Sequence, residues 1–124
     1  PLFIAETGIE DDARPAWLRY VGQEVRRAIH EGIPVHGICL YPVVNHPGWE
    51  DDRHCYNGLW DYADENGHRE IYEPLARELE SQQKLLDAQL RGETTPVTEP
   101  DLELLDTAAQ WMEIRSGRED VLHQ

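Results

Sequence analysis

The chain has 124 residues, 40% hydrophobic and 29% charged, a balance that fits an ordinary globular domain. A formal net charge of −14 disfavours a phosphate-backbone partner, which needs clusters of Lys and Arg, and equally disfavours an anionic membrane surface, so neither a nucleic acid nor a membrane is expected as a partner. No apolar run approaches the roughly 18 residues of a membrane span, and no basic segment leads into an apolar leader core, which says little about the parent protein's compartment; a cytoplasmic location is the expectation.

Leu2-Phe3-Ile4-Ala5 opens the chain almost at once and reads as a fully buried strand of the kind found in parallel sheets. A start at Pro1 that runs directly into such a strand suggests that further residues precede it. Glu6-Thr7-Gly8 ends the strand, with Gly8 as the breaker. Asp11 and Asp12 offer capping oxygens, Pro15 suits a first helical turn, and Trp17, Val21, Val25, Ala28 and Ile29 recur at helical spacing until Gly32. The segment Ile33 to Tyr41 is apolar and rich in branched residues, and predicts a second buried strand that stops at Tyr41-Pro42. Cys39 lies within it and is expected to pack as a small hydrophobe; with only Cys55 besides, no disulfide framework is expected.

A long irregular loop follows, from Val43 to about Asn57. Loops of that length are usually functional or disordered, and Trp49 and Trp60 argue against disorder. A helix is predicted from about Glu73, with Pro74 in its first turn, to Arg91 before Gly92, with Leu75, Leu79, Leu86 and Leu90 as its apolar stripe. Residues 92–100 read as a polar linker, and a last helix is predicted over about Asp101 to Ser116. The division is therefore 1–92 for the α/β part and 93–124 for linker and helical tail.

Strands alternating with helices imply βαβ units and a parallel sheet. Two strands cannot cover both faces and both edges of such a sheet. The chain is thus expected to need strands from an upstream part or from another copy of itself, and to oligomerise or fold poorly alone.

Glu6 closes the first strand, and the carboxyl ends of parallel strands are where active sites form. A carboxylate there suits a nucleophile, a general base or a metal ligand; it equally suits a cap or a surface ion pair. The second strand delivers the long loop to the same side, with His46, Trp49, Asp51, Asp52, Arg53, His54 and Asn57. Aromatic faces interspersed with polar groups suit sugar rings, which present apolar C–H faces and hydroxyls; the same residues would also serve a packed Trp49 under a solvated loop. His36, His46, His54, Cys55 and Asp51 fall in none of the metal-ligand spacings, so no metal and no other cofactor is expected.

Phe3-Ile4-Ala5-Glu6-Thr7-Gly8 resembles the seventh-strand motif of clan A glycoside hydrolases, close to the Ile-Thr-Glu-Asn-Gly form of family 1 β-glucosidases. Gly37-Ile38-Cys39-Leu40-Tyr41-Pro42 resembles the eighth strand, and Trp49 followed by Asn57-Gly58-Leu59 resembles the Trp and Phe-Gly-Leu of the loop after it. From Leu2 to about Leu90 the chain looks like the C-terminal quarter of such a barrel; after Pro96 nothing resembles the family. The resemblance implies the last two βα units of a (β/α)8 TIM barrel plus a C-terminal helix, and a retaining hydrolase of β-glycosides.

Glu6 would then be the nucleophile, with a second carboxyl group about 5–5.5 Å away protonating the leaving oxygen and later activating water. The resemblance puts that partner on the fourth strand, outside this chain, so the chain alone is expected to be inactive. It implies a sugar-binding set of Tyr41, His46, Trp49, Glu50, Asp51, Arg53 and Asn57. Two positions depart from the family: Gly48 stands where a Glu precedes the loop Trp, with Glu50 after it instead, and Tyr41 stands where a Trp commonly follows the eighth strand. These departures motivate the alternatives: an inactive carbohydrate-binding barrel, or a structural fragment that assembles through its strand edges.

Overall fold

The computed structural model describes residues 1–93, together with Glu103, Asp106 and Gln110. Two parallel strands, β1 (Leu2–Thr7) and β2 (Val35–Leu40), form the sheet; α1 (Arg14–His30) connects them, and α2 (Glu73–Leu90) follows the long loop. Over residues 1–93 the result is a small α/β unit with a two-stranded parallel sheet and two α-helices. The helix expected over about 101–116 and its linker lie outside the described residues, except that Glu103, Asp106 and Gln110 are helical.

The strands pair through Leu2–Val35, Ile4–Ile38 and Thr7–Leu40. From Leu2 to Ile4 the extra residue sits on β2, and from Ile4 to Thr7 it sits on β1, so the ladder is irregular at Ala5-Glu6. Such irregularities leave a residue unpaired and re-aim side chains, here beside the carboxylate at the strand's end. The Tyr41 amide donates to the Thr7 carbonyl at 3.0 Å and carries the pairing to the point where both strands leave the sheet. Gly8 is required at this point because a Cβ would run into the Tyr41 carbonyl oxygen.

β1 is not the fully buried strand its sequence predicts: Leu2 is 49% and Phe3 60% exposed. Its apolar run matches a strand with neighbours on both sides, and among the described residues only β2 lies beside it. Cys39 is likewise exposed rather than packed, while Cys55 is buried, and the two form no disulfide. Among the described residues the buried apolar side chains are Ala13, Leu18, Val25, Val35, Cys55 and Leu75.

A short 3-10 turn, Asp11–Ala13, leads into α1, and neither Asp11 nor Asp12 caps it with a side chain. Asp11 instead sits at φ 57 with its amide bound to the Tyr56 carbonyl at 2.8 Å, so tertiary contact has replaced local capping. At the other end Gly32 adopts φ 89, the left-handed conformation that closes a helix at little cost to glycine.

α1 packs on β2 and on α2 through a seam that is more polar than the leucine pattern suggests. Gly22 lets Gln82 approach closely, Arg26 donates to Gln82, Gln82 donates to Glu78 at 2.7 Å, and Arg19 forks onto Glu78 at 2.8 and 3.2 Å. Burial pulls the Arg26 guanidinium below its ordinary pKa, opposed by the charge of Glu78. Leu75 fills the core, but Leu90 at the end of the expected stripe is 45% exposed. No described helix is long and apolar enough to cross a membrane.

Trp17 ties α1 to the end of β1, its indole N–H donating to the Thr7 hydroxyl at 2.8 Å. Trp17→Phe is expected to cost about 0.5–1.5 kcal/mol, the net worth of one such bond. A urea midpoint unchanged from wild type would show that this tie carries no stability.

Candidate functional site

The carboxyl ends of β1 and β2 open into one hollow of about 750 Å³. Glu6 enters it from the end of β1, and Tyr41 from the end of β2. The loop supplies His46, Trp49, Glu50 and Asp51 on the way out, and Arg53 and Asn57 on the way back. The expected nucleophile and the seven expected sugar-binding residues therefore line the same space, while Asp52 and His54 of the same loop do not. Thr7, Ile9, Glu10, Pro42 and Cys55 line it as well and were not anticipated. Glu10 was open to inference, since it follows β1 on the same edge as Glu6.

The loop is built rather than loose. Pro47 bridges His54 antiparallel, and the Gly48 amide donates to the Arg53 carbonyl at 2.9 Å, closing a short hairpin with Trp49 at its tip. The Asp51 carboxylate accepts from the Arg53 amide at 3.1 Å. Trp49 is 85% exposed, so it does not pack beneath the loop, and it is part of the hollow's lining. A Cβ at Gly48 would run into the Asp51 carboxylate, so the place from which a longer side chain would grow is filled by Asp51.

At the base of the hairpin the chain is pinned by two buried polar side chains. Asn45, buried, accepts from the Gly58 amide at 2.6 Å and donates to Asp61 at 2.9 Å. Arg14, also buried, donates to the Gly58 carbonyl at 2.6 Å and to the Asp11 carbonyl at 2.7 Å, with its guanidinium 3.6 Å from the centre of the Tyr72 ring. Burial draws the Arg14 pKa down, opposed by Tyr72 and Asp11. A Cβ at Gly58 would stand 2.5 Å from the Asn45 nitrogen, backbone that cannot yield.

Three polar contacts set the lining. The His46 ring gives its Nδ1 hydrogen to the Pro47 carbonyl at 2.7 Å, which leaves Nε2, 3.3 Å from the Tyr41 oxygen, to accept the phenol hydrogen in the neutral tautomer. The Asn57 side-chain carbonyl accepts from the His46 amide at 3.2 Å. Arg53 forks onto Glu10 at 2.8 and 3.0 Å, joining the hairpin to the segment after β1. That hydrogen bonding, then the charge of Glu10, holds the Arg53 pKa above its ordinary value. Among the described residues no group of three His, Cys, Asp or Glu side chains is arranged to hold a metal.

A carboxylate at a parallel sheet's carboxyl edge, lining the same polar hollow as an exposed tryptophan, is an arrangement suited to a polyhydroxylated ligand with an apolar face. Comparison with solved structures points to the same class: over part of its length the chain is similar to a piece of a glycoside hydrolase. The structure in question is the β-glycosidase from the hyperthermophile Thermosphaera aggregans, with a TM-score of 0.56, 26% identity and 66% of this chain covered. The chain spans only 18% of that enzyme, so the likeness to its barrel is partial. No family model matches the sequence, and no curated protein matches it.

Proposed function

We propose that the chain carries the nucleophile side of a retaining β-glycosidase site, completed by strands it does not itself contain. Glu6 attacks the anomeric carbon; Trp49 stacks on the sugar; Tyr41, His46, Glu50, Asp51, Arg53 and Asn57 meet its hydroxyls. The observation that carries this reading is that Glu6 and the Trp49 hairpin line one hollow at the sheet's carboxyl edge. The exposed β1, with its open edge, supports the need for further strands.

The test separates the nucleophile from the absent acid. A 2-fluoro glycoside with a dinitrophenolate leaving group departs without a proton, so it asks only for an attacking carboxylate. Incubated with the full chain, it is expected to give a covalent adduct that peptide mapping places on Glu6 and that Glu6→Gln lacks. An unmodified wild-type chain, or an adduct elsewhere, would sink the assignment.

A non-catalytic sugar-binding module is the second reading. The Asp51 carboxylate against Gly48 favours it, because a Glu at that position, as the family has, would have to push Asp51 aside. Sugar binding without any adduct would select it.

A further inference from the structure

The charges lining the hollow are lopsided. Glu6, Glu10, Glu50 and Asp51 are acidic, and among the described residues lining it Arg53 is the one Lys or Arg. That guanidinium is already engaged: both arms of its fork reach Glu10, at 2.8 and 3.0 Å, and its own amide donates to Asp51. His46 has both ring nitrogens occupied, by the Pro47 carbonyl and the Tyr41 phenol. An anionic ligand is normally held by just such a fork. Here it would have to displace Glu10 and then sit among carboxylates with no cation to spare.

We propose that Glu10 sets the charge class of the ligand: by holding Arg53 it reserves the hollow for neutral or cationic glycosides and turns away uronides and sugar phosphates. This rests on the reading of the hollow as a sugar site. Glu10 is a positioning residue, acting on the ligand through Arg53. The pair lies at the rim, with the Arg53 side chain 50% exposed, so breaking it disturbs the core little.

Ligand-observed NMR titrations of the full chain with methyl β-glucoside, methyl β-glucosaminide and methyl β-glucuronide test this. The glucuronide is expected to bind about tenfold more weakly than the glucoside at low salt, the size of one like-charge contact near a surface. The gap narrows at high salt, where the screening length falls to a few ångströms. Glu10→Gln releases Arg53 and brings the glucuronide up to the glucoside, while Glu10→Asp, which keeps the charge, leaves the preference in place. A glucuronide that binds wild type as well as the glucoside overturns the proposal and leaves the sugar site standing. Failure of Glu10→Gln to improve glucuronide binding overturns it too. If no methyl glycoside binds, the sugar site itself falls, and this inference with it.

Discussion

Arg14→Ala is expected to destabilise the chain by about 2–4 kcal/mol, the loss of charge-assisted hydrogen bonds to buried backbone carbonyls together with a cation–π contact. The residue is 8% exposed and serves three segments at once: the turn before α1 through the Asp11 carbonyl, the loop through the Gly58 carbonyl, and the start of α2 through the face of Tyr72. Truncation leaves the Gly58 carbonyl without its cation and removes a cation–π contact worth about 0.5–2 kcal/mol. Because Arg14 reaches the loop through Gly58, the loop that carries the Trp49 hairpin should loosen first. Hydrogen exchange checks this: amides of Gly58, Leu59 and Trp60, all in or beside the pinned segment, should lose protection before those of α1. Equal protection in wild type and variant would show that Arg14 is not the pin.

Unactivated β-glycosides are expected to turn over at no appreciable rate on this chain, even where the dinitrophenyl fluorosugar labels Glu6. General acid catalysis contributes about 10²–10⁴-fold, and an alkoxide leaving group needs that proton while a dinitrophenolate does not. Two of the carboxylates that line the hollow with Glu6 are engaged elsewhere: Glu10 holds Arg53, and Asp51 accepts from the Arg53 amide. A rate series against leaving-group acidity measures the difference, and should fall steeply from dinitrophenyl to methyl glycoside. A flat series, or methyl glycoside hydrolysis abolished by Glu6→Gln, would mean that an acid is present within these residues.

The elements were legible because their signals are local. The Leu2–Ala5 run, the Trp17-Val21-Val25 spacing and the Pro74 start marked β1, α1 and α2 to within a few residues of their observed ends. Burial was not legible for β1, because an apolar strand records the neighbours it is suited to rather than those it has. Capping failed at Asp11, where a backbone bond to Tyr56 decided the conformation. Glu6 and the loop residues could be grouped because parallel strands deliver their carboxyl ends to one side. Arg14 and Asn45 could not, since their value lies in meeting Gly58 from 44 and 13 positions away.

The open flank of β1 has a practical consequence for the chemistry proposed at its end. Leu2-Phe3-Ile4-Ala5 is uncharged, free of proline and glycine, and without a second neighbour among the described residues, the composition that nucleates intermolecular β-stacking. Glu6 is the first charge that interrupts it, a gatekeeper against aggregation as well as the candidate nucleophile. Glu6→Gln therefore removes two things together, and the variant should precipitate sooner than wild type at equal concentration. Replacement by Asp keeps the guard while moving the carboxylate back by one methylene.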